Sequence, residues 1–182
     1  MAHHPEAQPP SSGQLPAGAR LAAVVSGYHP ALTEELFQSA RRELELAGLQ
    51  GELLRVNAPG VFEVPLIARR LGMRDDVDAV LCFGLVLKGE TPHDRYIADS
   101  VAHALQRVAL DTDKPVLFGV LTCDTLAQAE ARAKPARDGG EHDKGREVAR
   151  AAVSALAALA QARDIGREHR PAGFHRSEEA RS

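Results

Sequence analysis

The stretch GLVLKGETPH, residues 84–93, combines residue types that can bind an anion and transfer a proton. Gly89, Glu90 and Thr91 lie where a helix is predicted to begin, so backbone amides and a hydroxyl group can point at a phosphate. A capped helix start without a ligand is the alternative. His93 follows in the first turn. Histidine is the residue type whose unperturbed pKa, about 6.5, suits proton transfer near neutral pH, although a lone histidine is often structural.

Two earlier loops carry further candidate binding groups. Glu63, in APGVFEVPL, is an acid among apolar residues just ahead of Pro65. It is therefore either a helix-start acid or a ligand-binding carboxylate. Tyr28 and His29 follow the first apolar run, where an aromatic side chain either packs against the fold or offers a stacking surface.

Basic residues gather late in the chain around a glycine-rich turn, in RAKPARDGGEHDKG: Arg132, Lys134, Arg137 and Lys144. Their charges are either simply solvated or held together to bind a substrate phosphate. The motif GxxxxGK[ST] is absent, and GxGxxG does not follow the first apolar run. Nucleotide binding by either of these two mechanisms therefore has no support.

Alternating strands and helices must position these groups. The apolar runs predict strands within 20–27, 52–60, 77–84 and 115–122, and the spacing of apolar residues predicts helices over 30–48, 64–72, 95–110, 124–133 and 144–165. Asp124 is the expected N-cap of the fourth helix. Strands this continuously apolar indicate a parallel sheet covered on both faces, which binds ligands at the carboxyl ends of its strands. All the loops named above lie there, apart from the basic turn.

Length and composition limit the organisation of the chain. Its 182 residues suffice for one domain, predicted over 20–165, between a flexible N-terminal arm (1–19) and a flexible C-terminal tail (166–182). Lys and Arg number 22 against 25 Asp and Glu, which gives no reason to expect nucleic acid or an anionic membrane as partner. Cys82 and Cys123 form no CxxC or metal-ligand cluster, and no apolar run predicts a signal peptide or membrane span. We expect core thiols in a cytoplasmic protein.

Five motifs, taken in chain order, resemble the lumazine synthase family: SGYHPALTEEL, APGVFEVPL, GLVLKGETPH, FGVLTCDTLAQAEARA and DKGREVARAA. The resemblance covers about residues 20–163. It implies a flavodoxin-like three-layer sandwich, with a four-stranded parallel sheet and helices on both faces. It also implies a transferase of riboflavin biosynthesis. The enzyme would condense 5-amino-6-(D-ribitylamino)uracil with 3,4-dihydroxy-2-butanone 4-phosphate. The product would be 6,7-dimethyl-8-ribityllumazine, with release of phosphate and water.

The resemblance also assigns residues around the pyrimidine ring. Tyr28 is expected to stack on the ring, Val86 and Leu87 to line its pocket, and Lys144 to contact a ring carbonyl. Phe118 is expected to reach the site across a subunit interface.

The resemblance assigns the remaining roles to the ribityl chain, the phosphate and the proton. His93 would transfer protons, and Arg132 of the adjacent subunit would assist in holding the phosphate. The substrate-binding set is completed by Val61, Phe62 and Glu63 at the ribityl chain, by Gly89, Glu90 and Thr91 at the phosphate, and by His29 and Lys88 beside them. No metal and no organic cofactor is implied, because the condensation transfers protons but involves no redox step.

The resemblance implies pentamers with active sites between subunits, and it allows decamers, larger shells and riboflavin synthase as a partner.

This sequence departs from the family pattern after the histidine, where Asp94 and Arg95 replace the usual aromatic and Asp. Asp99 is one candidate for orienting His93. The chain between Arg132 and Lys144 is also longer than in the shortest members. Two other functions stay open: a paralogue that binds flavin or lumazine, and a shell-forming scaffold, which the intact polar set disfavours.

Overall fold

Four parallel strands form the centre of the fold in the order β2-β1-β3-β4. The computed structural model describes residues 13–135, 140 and 142–165. The strands are β1 (Leu21–Ser26), β2 (Leu54–Ala58), β3 (Ala79–Leu87) and β4 (Val116–Cys123). The helices are α1 (Pro30–Leu46), α2 (Val64–Gly72), α3 (His93–Thr112), α4 (Leu126–Ala133) and α5 (Lys144–Asp164). The predicted α/β sandwich with a four-stranded parallel sheet is confirmed.

Each face of the sheet has its own apolar core. One face packs against α1, α4 and α5, through residues such as Leu36, Leu81 and Ala149. The other packs against α2 and α3, through residues such as Val80 and Val101. Because neighbouring residues of a strand point to opposite faces, a strand covered on both sides is apolar on both, as β3 is throughout and β1 is up to its last residue, Ser26.

The predicted boundary of β3 was wrong at its carboxyl end. The strand was expected to end at Gly84, but it continues to Leu87 and pairs with β4 throughout. Glycine occurs here for packing, because a Cβ atom at residue 84 would lie 2.8 Å from Cγ2 of Val61. Gly84 therefore lets the loop after β2 approach the middle of the sheet.

The starts of two helices were predicted only in part. α3 begins at His93, which lies in the first turn as predicted, two residues before the start of the apolar pattern at Arg95. α4 is capped by Thr125 rather than Asp124, because the Thr125 hydroxyl accepts a hydrogen bond from the Gln128 amide at 3.2 Å. Both residue types cap helices well, so composition alone could not choose between neighbours.

The segment directly before β1 packs on the domain, although composition had placed it in a flexible arm. The side chain of Leu15 is 8% exposed and belongs to the core beneath α1 and α5. Its amide donates to the carbonyl of Ala47 at 2.9 Å. The predicted arm (1–19) is thus wrong over residues 15–19, which pack on the domain, while its first twelve residues and the predicted tail 166–182 lie outside the described residues.

Both cysteine thiols are core groups, as predicted. Cys82 and Cys123 are free and buried, and burial raises the pKa of each thiol. Neither is therefore a reactive thiolate near neutral pH. In the described part of the chain, no helix is long and apolar enough to cross a membrane.

Candidate functional site

A cavity of about 420 Å³ opens at the carboxyl ends of β1, β2 and β3. From β1 the chain moves outward to β2 and then crosses back to β3, so the sheet reverses direction here and leaves a crevice between the loops. The cavity is lined by Tyr28, His29, Gly60, Val61, Phe62, Glu63, Leu85, Val86, Leu87, His93 and Ile97. Three separate loops and the start of α3 therefore contribute to one site.

The loop after β1 presents an aromatic side chain to this cavity. His29, just before α1, has a left-handed backbone (φ 53°, ψ 57°), which turns the chain sharply after Tyr28. The hydroxyl of Thr33 donates to the carbonyl of Ser26 at 3.0 Å and ties α1 to the end of β1. Tyr28 is 66% exposed, so it is not a packed core residue and its ring face is available for stacking.

The loop after β2 brings a carboxylate beside that aromatic ring. A Cβ atom at Gly60 would lie 3.0 Å from Oε2 of Glu63 and 3.4 Å from Cε2 of Tyr28, so glycine allows the two side chains to meet there. Glu63 occupies the N-cap position of α2 but makes no capping hydrogen bond with its side chain. Its carboxylate has no hydrogen-bond or ion-pair partner among the described residues, and it faces the cavity.

The imidazole of His93 is held by its own loop. Nδ1 lies 2.8 Å from the hydroxyl oxygen and 3.2 Å from the carbonyl oxygen of Thr91. The predicted candidate for this role, Asp99, instead pairs with His103, one turn further along α3. The reason is geometric, because residues six apart on a helix point in different directions whereas residues four apart share a face.

The two residues that depart from the family pattern lie at the start of α3. Asp94 is 7% exposed and occupies the first turn of the helix, where a carboxylate is stabilised by the helix dipole. Arg95 is exposed. Asp94 shares a helix face with Ile97 and Val101, so it takes a position that would otherwise be apolar.

Eight of the predicted site residues line the cavity: Tyr28, His29, Val61, Phe62, Glu63, Val86, Leu87 and His93. Gly89 and Thr91 contact the His93 ring instead of lining the cavity. Lys88 and Glu90 are exposed residues of the same loop. The sequence therefore identified most of the wall, and the predicted phosphate loop borders it.

Three further predicted residues lie on other elements, away from the cavity of their own chain and from the loop that borders it. Phe118 lies on the edge strand β4 and is 46% exposed. Arg132 donates from its guanidinium to the carbonyl of Gln128 at 3.0 Å, and Lys144 pairs with Glu147. The expectation that Phe118 and Arg132 serve a neighbouring subunit stays a prediction. Arg137, the remaining member of the basic turn besides Lys134, lies outside the described residues.

The sequence reasoning missed three lining residues, Gly60, Leu85 and Ile97. Ile97 could have been found, because it lies four residues after His93 on the same helix face. Gly60 belonged to a loop that was already a candidate. Leu85 was missed because the strand was expected to end at Gly84.

The site combines an exposed aromatic ring, an unpaired carboxylate, two imidazoles and an apolar floor. Such a set can hold a planar polar ring and a hydroxylated chain, and it can transfer protons between them. In the described ranges, no group of three or more His, Cys, Asp or Glu residues is arranged to hold a metal ion.

Comparison with known proteins agrees with this site. The family model for 6,7-dimethyl-8-ribityllumazine synthase matches residues 18–160. The enzyme of that name from Frankia casuarinae is 43% identical over 143 residues, covering 79% of this chain and 87% of the relative. The Thermus thermophilus enzyme is 40% identical (78% and 88% covered), and the Salinibacter ruber enzyme 42% identical (75% and 85% covered). The resemblance seen in the five motifs is confirmed, and the chain belongs to the 6,7-dimethyl-8-ribityllumazine synthase family.

Proposed function

We propose that this chain is a transferase of riboflavin biosynthesis that forms 6,7-dimethyl-8-ribityllumazine. It condenses 5-amino-6-(D-ribitylamino)uracil with 3,4-dihydroxy-2-butanone 4-phosphate and releases phosphate and water. The observation that carries this proposal is the meeting of Tyr28, Glu63 and His93, from three separate loops, at one cavity. The family match over residues 18–160 includes all three loops.

The pyrimidine substrate occupies the apolar part of the cavity. Its ring stacks on Tyr28 and lies against Val86 and Leu87, while its ribityl hydroxyls donate hydrogen bonds to Glu63. That carboxylate has no partner within the described chain, so a bound polyol can donate hydrogen bonds to it without breaking an existing contact of Glu63 there. Val61 and Phe62 flank the ribityl chain.

The phosphorylated ketone occupies the other end, at the loop before α3. Backbone amides of residues 89–91 face a phosphate at the start of a 20-residue helix, where the helix dipole favours negative charge. Arg132 of a neighbouring subunit adds a guanidinium, which matches a phosphate with two parallel hydrogen bonds.

The reaction itself consists of proton transfers and additions. The amine of the pyrimidine adds to the ketone and forms an imine with loss of water, phosphate leaves, and the second nitrogen closes the ring with loss of water. His93 accepts and returns protons. Holding both substrates in reacting geometry supplies most of the acceleration, to which His93 adds roughly 10²- to 10⁴-fold.

The proposed assembly is a pentamer with active sites between subunits. Members of this family form oligomers and bind small-molecule substrates. Two features support the finer proposal: Tyr28 and Phe62 at the cavity mouth are both more than half exposed, and Phe118 lies on the open edge of the sheet. A neighbouring subunit would cover this apolar surface. Decamers, larger shells and riboflavin synthase as a partner stay predictions, as does a cytoplasmic location, which the two free thiols favour.

The test is to incubate the purified chain with both substrates and follow lumazine fluorescence together with phosphate release. We expect both signals at equal rates and well above the spontaneous reaction. Tight binding of lumazine or flavin without turnover would instead identify a binding paralogue. Absence of both would identify a scaffold, and light scattering on the same sample gives the number of subunits.

A further inference from the structure

Both neighbours of Nδ1 in His93 come from one residue. The hydroxyl oxygen of Thr91 lies 2.8 Å from Nδ1, and the carbonyl oxygen of Thr91 lies 3.2 Å from it. A carbonyl oxygen can only accept a hydrogen bond, whereas a hydroxyl can accept or donate. Both contacts are satisfied together only if Nδ1 carries the proton and donates it towards the two oxygens.

We propose that Thr91 is a positioning residue, which holds the neutral imidazole of His93 in its Nδ1–H tautomer. Nε2 is then unprotonated and free to accept a proton from a substrate. The catalytic meaning of this arrangement rests on the proposed function, but the tautomer does not. A neutral histidine whose ring nitrogens contact only water has no such preference imposed on it and populates both tautomers.

The packing of the imidazole ring supports this orientation independently. A Cβ atom at Gly89 would collide with Cε1 of His93 and would lie 3.0 Å from Nδ1 and 3.2 Å from Nε2. The ring therefore lies directly against the backbone of residue 89, in space that only glycine leaves open. Gly89 on one side and Thr91 on the other confine an imidazole that is otherwise exposed.

The arrangement connects the histidine to the anion site. A hydroxyl that accepts a hydrogen bond from Nδ1–H still has its own proton to donate. An anion held by the amides of residues 89–91 can accept a hydrogen bond from that hydroxyl. A chain of hydrogen bonds then runs from the imidazole through Thr91 to the anion. Thr91 thus has two roles, in binding the phosphate and in orienting the base.

The tautomer can be measured without any substrate. The full chain is labelled with ¹⁵N at its eight histidines, and His93 is assigned by the signals lost in His93→Gln. Spectra are taken about two pH units above the ordinary imidazole pKa of about 6.5, where the ring is neutral. We expect Nδ1 of His93 to have the shift of a protonated nitrogen and Nε2 that of an unprotonated one. The opposite assignment would overturn the proposal.

Variants of Thr91 then test the hydroxyl group. Thr91→Ser keeps it and should keep the Nδ1–H pattern. Thr91→Val removes the closer acceptor but keeps the backbone carbonyl at 3.2 Å, so both nitrogens should move part of the way towards the averaged shifts of a mixture. His103 is the internal control, because its Nδ1 lies 2.8 Å from the carbonyl oxygen of Asp99, and its signals should not move. An unchanged His93 spectrum in Thr91→Val would show that the hydroxyl does not hold the tautomer, and it would overturn the positioning role of the Thr91 side chain.

Kinetics connect the tautomer to turnover. We expect Thr91→Val to lower kcat roughly tenfold, less than the roughly 10²- to 10⁴-fold effect of losing general acid-base catalysis entirely. The decrease in kcat should be clearly smaller in Thr91→Ser than in Thr91→Val. Equal losses in both variants would contradict a positioning role for the hydroxyl. An inactive wild-type chain with the expected ¹⁵N pattern would refute the proposed function and leave the tautomer assignment standing.

Discussion

Polar side chains are paired in the contact between α1 and α5, whereas at the cavity an acidic side chain is left without a partner among the described residues. In the helix contact, Glu43 accepts from Arg150 at 2.7 Å, and Asp143 accepts from the hydroxyl of Ser39 at 2.5 Å. Both acids are buried and paired. In the cavity, by contrast, Glu63 has no hydrogen-bond or ion-pair partner among the described residues, and the imidazole of His93 hydrogen-bonds there only to Thr91 of its own loop.

This difference separates stability from function. A buried polar group stabilises a fold only when it is paired, so the helix contact contributes to the free energy of unfolding. An unpaired carboxylate at an open cavity contributes nothing there, but it is free to bind a ligand. We therefore expect substitutions in the two regions to change different measured quantities.

The largest effect should come from His93→Ala. We expect kcat to fall roughly 10²- to 10⁴-fold because general acid-base catalysis is lost while both substrates are still held in place. The melting temperature should stay close to that of the wild type, because the imidazole is exposed and its hydrogen bonds in the described chain are to Thr91, not to the core. Steady-state kinetics and a thermal melt on the same preparation check both statements. A wild-type rate would remove His93 from the mechanism.

The next largest effect should come from Arg132→Ala. If this guanidinium binds the substrate phosphate of a neighbouring subunit, a hydrogen bond to a charged group worth about 1.5–3 kcal/mol is lost. KM for the phosphorylated ketone should rise roughly 10- to 100-fold, while KM for the pyrimidine changes little. Lys134→Ala, on the same basic turn, is the control. If both variants raise KM equally, general charge rather than a specific contact is responsible.

A smaller effect, on stability and not on turnover, should come from Arg150→Met. This change leaves the nearly buried carboxylate of Glu43 without its partner and should lower the free energy of unfolding by about 1–3 kcal/mol. The double variant Glu43→Leu with Arg150→Met should recover most of that loss, because removing both charges leaves none unpaired. Urea unfolding measures both. A lumazine-forming rate that falls with stability would break the separation between the two regions.

The smallest effect should come from Arg107→Ala, on the exposed face of α3. Arg107 donates to Asp111 at 2.9 Å, but both side chains are largely exposed. Exposed ion pairs of this kind contribute about 0.5 kcal/mol or less, so stability and turnover should both stay near wild type. A loss as large as that of Arg150→Met would mean that burial does not decide which pairs stabilise this fold.

The sequence predicted the sheet and most of the cavity because these depend on local patterns. Continuous apolar runs are required of strands covered on both faces, and loops after parallel strands necessarily meet at one edge. Tyr28, Glu63 and His93 could therefore be brought together before any coordinates were known. The three residues are far apart along the chain, but each follows a parallel strand, so the topology of the sheet brings them close together.

The remaining details depended on contacts between distant residues. Gly84 looked like the end of a strand, but it is needed because Val61 packs against it from another loop. Leu15 is the one large apolar residue of its segment, and it is buried because distant residues of α1 and α5 form a core there, while its amide donates to Ala47. The partner of His93 was sought further along the helix, at Asp99, whereas it lies two residues back, in a turn that no periodicity describes.

The rate of lumazine formation by the purified chain, with both substrates present, tests the central claim most directly. That claim is that the groups facing the cavity bind and convert the two substrates, so the wild type should form product far faster than the spontaneous reaction. His93→Ala should lose most of that excess, and Arg150→Met should retain it. A wild-type rate equal to the spontaneous rate, or equal losses in the two variants, would contradict the account.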